Sequence, residues 1–198
     1  MTQTTDPSND ASSGKSRRFQ LSNMTSALAL AVSIFALAIG AWQTQLMQGQ
    51  AHASVWPYLA IGYTYNSNTD VNGFIWHVDN NGVGPAKVQT VTLSVDGKPM
   101  KHWGEVLKEL GWTKPLNVST SSLNGDVIPP SLNRETTIEA IRVNEREAAA
   151  LFKDAIGRFK IDICYCSVYD DCWIAHWKQI KVDSVERCNS EGLVVFED

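Results

Sequence analysis

FKIDICYCSVYDDCWIAHW, residues 159–177, is the stretch of sequence that decides the fold. Apolar residues alternate with polar residues or cysteines over Phe159–Cys166, and the alternation resumes after Cys172. Alternation of this kind is typical of strands that bury one face. The intervening residues 167–171 form a segment short enough to connect antiparallel neighbours. The segment therefore predicts a β-hairpin.

All four cysteines of the chain lie in this hairpin or after it. In the register that places Cys166 opposite Cys172, the two Cβ atoms are expected to lie roughly 4.5–5.5 Å apart, so a disulfide between them is sterically reasonable. Cys164 then remains for Cys188, and this second bridge alone is expected to tie the C-terminal tail to the sheet. Four cysteines allow three connectivities, among which the sequence cannot choose, and we rank this one first.

A metal site is the functional alternative for the same residues. Strand parity places Cys164, Cys166, Cys172 and His176 on one face of the hairpin, and thiolates with an imidazole are ligands for zinc or copper. A metal-binding or thiol-redox protein that uses this face is therefore the second hypothesis. The spacing lacks a C-x2-C pair, and an oxidising compartment favours disulfides. We predict the two bridges, with no metal and no cofactor.

An apolar run precedes the folded part of the chain. Residues 24–42 carry no charge and, as a helix, span roughly 28 Å, about one hydrocarbon core of a bilayer. Trp42 ends the run where an interfacial aromatic residue belongs. We predict a transmembrane helix, followed by a Gln-rich linker over 43–53. The alternative is a signal peptide cleaved near Ala51-His52-Ala53, which has the small-x-small pattern of a cleavage site.

The orientation follows from basic residues at the N-terminal side of this helix. Lys15, Arg17 and Arg18 precede it, and basic flanks stay in the cytoplasm. Residues 1–23 are otherwise polar and are expected to form a disordered cytoplasmic tail. Residues 54–198 are then expected to form one folded domain outside the cytoplasm.

The rest of this domain also has mainly strand patterns, interrupted by two amphipathic segments. Asn144 with Glu147 resembles a capping box at the start of the second amphipathic segment. Together the patterns predict a mainly β fold, an antiparallel β-sandwich with one or two short helices. The predicted strands cover 56–65, 74–79, 90–95 and 136–143 beside the hairpin, the predicted helices start at Trp103 and Asn144, and residues 113–134 are predicted to be irregular.

Two segments resemble a known group of proteins. Residues 80–97, NNGVGPAKVQTVTLSVDG, and the Cys-Ser-x4-Cys-Trp segment Cys166–Trp173 are similar to segments of uncharacterised single-pass bacterial inner-membrane proteins. The opening by a basic tail and an anchor is shared as well. The resemblance implies an immunoglobulin-like domain in the periplasm and carries no named activity.

Charge and motif content narrow the classes of function. The chain has 17 basic and 21 acidic side chains, a net charge of -4, which argues against a protein that coats nucleic acid. The motifs G-x-S-x-G, H-E-x-x-H and the P-loop are absent from the sequence, so no catalytic residue is predicted. The leading hypothesis is a non-catalytic binding or assembly module. Its expected partners are the lipid bilayer, through residues 24–42, and another protein.

Overall fold

The computed structural model describes residues 13–66, 73–131 and 137–197, with side chains from residue 24 onward. The chain divides into two compact units, residues 1–51 and 52–198. The second unit begins two residues before the domain boundary predicted at residue 54.

The first unit consists, in its described part, of the helix α1, Ser13–Ser54, up to residue 51. Its portion Met24–Ser54 is long and apolar enough to cross a membrane, as predicted for 24–42. The helix also covers 13–23, predicted as disordered tail, and 43–53, predicted as linker. Lys, Arg, Gln, Leu and Met are good helix formers, and extending an existing helix costs little. The first twelve residues of the predicted tail lie outside the described part.

In its described residues, the second unit is mainly antiparallel β structure with two short helices. In one sheet the strand order is β1-β2-β7-β5; in the other it is β10-β9-β8-β3-β4, with β6 paired to β3. The strands are β1 Leu59–Asn66, β2 Gly73–Asn80, β3 Ala86–Val95, β4 Lys98–Met100, β5 Val118–Thr120, β6 Val127–Ile128, β7 Ile138–Val143, β8 Phe159–Cys166, β9 Cys172–His176 and β10 Asp183–Val185, and the helices are α2 Trp103–Glu109 and α3 Arg146–Asp154.

The predicted long strands and both helices are present, and the differences concern short elements and a cap. The strands β4, β5, β6 and β10 have only two or three residues each, too few to produce an alternation in the sequence. The capping box predicted at Asn144 is wrong, because the N-cap of α3 is Glu145, which makes no side-chain capping bond. Glu147 instead forms an ion pair with Lys114, 2.7 Å from carboxylate to ammonium.

Side chains of both sheets share one buried core. At its centre Trp76 of β2, 1% exposed, meets Phe159 of β8 edge-on, with ring centroids 4.6 Å apart. Trp177, just after β9, approaches the same tryptophan at 5.0 Å, and α3 adds the buried Phe152. Edge-to-face pairs of this kind add to the stabilisation from buried area. The core therefore joins the hairpin β8–β9 to the first sheet.

Candidate functional site

The hairpin β8–β9 holds the predicted site residues in a fixed register. Cys166 pairs with Cys172 across the strands, and Cys164 pairs with Ile174. In the connecting loop, the hydroxyl of the buried Ser167 accepts hydrogen bonds from the backbone N–H groups of residues 169 and 171. Such a side-chain-to-backbone turn fixes the loop and with it the register.

Two disulfides staple this face of the domain. They join Cys166 to Cys172, with Cα atoms 4.0 Å apart, and Cys164 to Cys188, with Cα atoms 5.7 Å apart. These are the same pairs that the hairpin register ranked first. Every cysteine is bonded, so the chain holds no free thiol.

The four cysteine sulfurs lie together, and we call them the sulfur cluster. The Sγ atoms of Cys166 and Cys188, which belong to different bridges, are 3.8 Å apart. The sulfurs of Cys166, Cys172 and Cys188 all lie within 4.8 Å of one another. A cysteine binds a metal as the thiolate, and the four sulfurs of the cluster are bonded in two pairs. The cluster as it stands is therefore a disulfide cluster, and metal binding would require its reduction.

His176, predicted on the same face as the cysteines, has other partners. Its Nδ1 lies 2.6 Å from a carboxylate oxygen of Asp162 on β8, and its Nε2 lies 3.2 Å from one of Asp183 on β10. Both ring nitrogens are thus engaged by carboxylates, and the arrangement links three neighbouring strands. Asp183 was missed by the sequence interpretation, because β10 is too short to show a strand pattern.

A groove of about 270 Å³ lies beside the sulfur cluster and this histidine. Its walls come from β3, β8 and β9 and from the tail that follows β10. The tail therefore covers part of the cysteine face. The groove is lined by Thr90, Asp162, Cys164, His176, Arg187 and Leu193, among others.

The C-terminal tail has a second attachment besides its disulfide. The backbone N–H of Phe196 donates to the carbonyl oxygen of Val91 at 2.8 Å, and the Phe196 side chain is 6% exposed. Its ring packs edge-on against Trp103, with centroids 5.0 Å apart. The expectation that the Cys164–Cys188 bridge alone ties the tail to the sheet is therefore wrong.

Tyr165 lies between the two disulfide-bonded positions of β8 and points to the opposite side. It is completely buried, and burial raises the pKa of its phenol to about 12. Its oxygen accepts a hydrogen bond from the backbone N–H of Leu59 at 3.3 Å. The hairpin is thereby joined to the start of β1 in the other sheet.

The strand β1 is an outer strand of its sheet and offers a second candidate surface. Within the described residues it pairs only with β2. Asn81 donates its N–H to the carbonyl of Tyr58, whereas the N–H of Leu59 points away from β2 to Tyr165. By alternation, the backbone groups of Ile61, Tyr63 and Tyr65 also point away from β2.

This edge lacks the usual protection. Natural edge strands carry charged residues, proline or a bulge that prevents further pairing. No charged residue or proline occurs over Leu59–Asn66, and the register with β2 runs without a shift. We call the segment from Ile61 to Tyr65 the open edge.

No family model, curated protein or solved structure matches this chain. Its function therefore has to follow from its own geometry, in which two features stand out. One is the disulfide cluster with the neighbouring groove, and the other is the open edge of β1.

Proposed function

We propose that this protein is a membrane-anchored periplasmic binding or assembly module without catalytic activity, which binds an extended segment of a partner protein. The observation that carries the proposal is the open edge of β1. An open edge offers unpaired backbone N–H and C=O groups in strand geometry, and another extended backbone is their natural complement. A partner segment would add a strand to the four-stranded sheet.

The position of the module outside the cytoplasm is supported by two independent features. Met24–Ser54 is a helix long and apolar enough to cross a membrane, and Lys15, Arg17 and Arg18 precede it. Basic residues on the N-terminal side favour an N-terminus in the cytoplasm. Disulfides persist in oxidising compartments, and the second unit has two. Both features favour export of the second unit to the periplasm of a bacterial cell.

An immunoglobulin-like sandwich is the fold class that the strand order supports. The constant-type immunoglobulin domain has strands A, B, E and D in one sheet and C, F and G in the other. When the strands are lettered in chain order, the neighbours β1-β2-β7-β5 correspond to A-B-E-D in the first sheet, and β3-β8-β9 correspond to C-F-G in the second. The additional strands β4 and β10 extend the second sheet at its two ends. The fold serves as a scaffold for binding in many extracellular proteins, and the function rests on the edge and not on the fold.

Side chains along the open edge suit recognition of a strand rather than of a charged ligand. Tyr63 is 44% exposed and Thr64 is exposed, while Tyr65 is half-buried. Aromatic side chains that remain partly exposed are enriched in protein interfaces. In strand addition the backbone supplies the affinity, and alternate side chains supply the selectivity. We therefore assign the selectivity to the two tyrosines.

Crosslinking in native membranes tests the proposal. A photoreactive phenylalanine analogue replaces Tyr63 in the full-length chain, and a matched control carries it at Asn117, an exposed loop position. We expect a protein adduct from position 63 and none from position 117. Adding Thr64→Lys, which places a protective charge on the edge, is expected to lower the adduct at least about fivefold. Equal adducts at both positions, or an adduct that Thr64→Lys does not reduce, would contradict binding at the edge.

A metal-binding or thiol-redox protein is the second candidate, favoured by the 3.8 Å contact between the sulfurs of Cys166 and Cys188. Counting free thiols and bound metal in the full-length protein, purified without reductant, separates the two candidates. Two intact bridges without metal are expected for the binding module. Stoichiometric zinc or copper with free thiols would favour the second candidate.

A further inference from the structure

The sulfur cluster has the connectivity of a linear chain. Cys172 is bonded to Cys166, the sulfur of Cys166 touches that of Cys188 at 3.8 Å, and Cys188 is bonded to Cys164. The contact in the middle therefore joins two bridges that are covalently separate. Sulfurs so placed meet the first requirement of thiol–disulfide exchange, in which a thiolate attacks a disulfide sulfur.

The two sulfurs at the central contact need a short approach to form a bond. A disulfide bond is about 2.05 Å long, so the sulfurs of Cys166 and Cys188 need to approach by about 2 Å. Cys166 is fixed at the end of β8, whereas Cys188 lies in a tail segment without helix or strand. The tail can supply the movement without disturbing a sheet.

We infer that the two bridges form an exchange pair, with a third bridge, Cys166–Cys188, that forms when a protein dithiol donates two electrons. This exchange is a stoichiometric reaction and not catalysis, and it goes beyond the binding role and is independent of it. Two-electron reduction of either native bridge leads to the same product. The thiolate set free at Cys166 or Cys188 then exchanges with the remaining bridge and forms the Cys166–Cys188 bond. The substrate class is a dithiol of the kind found in thiol–disulfide oxidoreductases.

Reduction begins at the sulfur that is most accessible. Cys188 is half-buried, whereas Cys164, Cys166 and Cys172 are each less than 10% exposed. A thiolate of the external dithiol attacks the Cys188 sulfur, and Cys164 leaves as a thiolate and is protonated. The second thiol of the donor then resolves the mixed disulfide, releasing the Cys188 thiolate and an oxidised donor.

The internal step follows at the central contact. The Cys188 thiolate attacks the sulfur of Cys166, the Cys166–Cys188 bond forms, and Cys172 leaves as a thiolate and is protonated. In sum, two bridges and one dithiol give one bridge, two thiols and one oxidised donor. The tail stays bonded to β8, while the hairpin loop 167–171 loses its bridge. A thiol at Cys164 then lines the groove beside His176.

Chain entropy does not favour the Cys164–Cys188 bridge over the new one. The sequence separation is 24 for Cys164–Cys188 and 22 for Cys166–Cys188, so the two loops have nearly equal closure entropy. When they compete for the same Cys188, we expect populations within about tenfold of each other.

Two single variants in the full-length chain test the exchange from its two ends. Cys172→Ser leaves Cys166 free beside the tail bridge, and Cys164→Ser leaves Cys188 free beside the hairpin bridge. Free thiols are trapped by alkylation after an acid quench. Cleavage after Tyr165, Tyr169 and Arg187 then places each cysteine on its own peptide.

Both variants are expected to yield the same Cys166–Cys188 peptide pair, with the alkylated thiol at Cys164 in one and at Cys172 in the other. The double variant, which keeps only Cys166 and Cys188, is expected to oxidise to one bridge and to retain the circular dichroism spectrum of the wild type. In the wild type, limiting dithiol is expected to give a form alkylated at Cys164 and Cys172.

The opposite pattern would overturn the inference. In that pattern the free thiol stays on Cys166 in Cys172→Ser and on Cys188 in Cys164→Ser. The double variant is then folded but keeps both of its thiols free. The wild-type measurement decides if a variant fails to fold. A partly reduced wild type alkylated only at the two members of one native bridge would equally refute exchange.

Discussion

Replacing Tyr165 with phenylalanine tests how the hairpin is joined to β1. The phenol is completely buried and accepts a hydrogen bond from the N–H of Leu59, which is 2% exposed. Tyr165→Phe keeps the ring and leaves that buried N–H without its acceptor. The loss is expected to lower the free energy of unfolding by about 1–3 kcal/mol near pH 8.

The difference between wild type and variant is expected to shrink at alkaline pH. The pKa of Tyr165 is raised from 10.0 to about 12 in the folded state, because burial disfavours the phenolate. Below pH 10 the phenol is protonated in both states, and its contribution is complete. Between pH 10 and pH 12 the unfolded chain loses the proton first, so the folded state loses stability relative to it. By pH 11 the loss is about 1.4 kcal/mol in the wild type and absent in the variant.

Urea unfolding of both proteins in mild detergent, followed by tryptophan fluorescence at pH 8, 10 and 11, measures this difference. All other titrating groups are common to both proteins and cancel. Absorbance at 295 nm gives an independent check, because Tyr165 should remain largely unionised at pH 11 and the folded wild type and variant should then differ little in phenolate absorbance. A difference between the two proteins that is the same at pH 8 and pH 11 would refute the reasoning.

The remaining predictions concern the bridges, a close backbone contact and the topology. Cys188→Ser should lower the melting temperature more than Cys172→Ser. The reason is that the loop-entropy model assigns about 3.5 kcal/mol to the longer loop and about 2.4 kcal/mol to the shorter one. Calorimetry of both variants under non-reducing conditions measures the order, and an equal or reversed order would contradict the prediction. Gly84→Ala should destabilise the domain, because a Cβ there would clash with the carbonyl oxygen of Val55, whereas the matched Gly157→Ala meets nothing within 4 Å. A denaturation midpoint for Gly84→Ala as high as that of the control would contradict the clash. Alkaline phosphatase fused after the last residue should be active and should sediment with membranes, while a soluble, active fusion that lacks the apolar helix would indicate a cleaved signal peptide.

The sequence predicted the hairpin because its two strands show local alternation. Period-two patterning places Cys166 and Cys172 on the same face, and the register that pairs them, ranked first among the possible ones, is the one in the structure. The sheet partners of the hairpin could not be predicted in the same way. Pairing of β8 with β3 joins residues far apart in the chain, and local patterns carry no information on such neighbours.

The surroundings of His176 show the same limit within the candidate site. Its parity on the sheet face was predictable, and this parity suggested a metal ligand. The two carboxylates that engage it come from different strands, and one of them lies on β10, whose three residues have no recognisable pattern. The open edge of β1 was also beyond prediction, because a strand becomes an edge only through the absence of a neighbour on one side.

The burial of Phe196 affects the order in which core contacts and disulfides form while the chain is synthesised. Phe196 pairs with Val91, more than a hundred positions earlier in the chain, so the aromatic contact with Trp103 cannot form until residue 196 has been synthesised. The hairpin bridge needs only residues up to Cys172 and can be oxidised first, while Cys164 must wait for Cys188. On the proposed export of the second unit, an incomplete domain with a free thiol at Cys164 is exposed during that interval, and we expect holding chaperones and a disulfide isomerase to affect the yield at this stage.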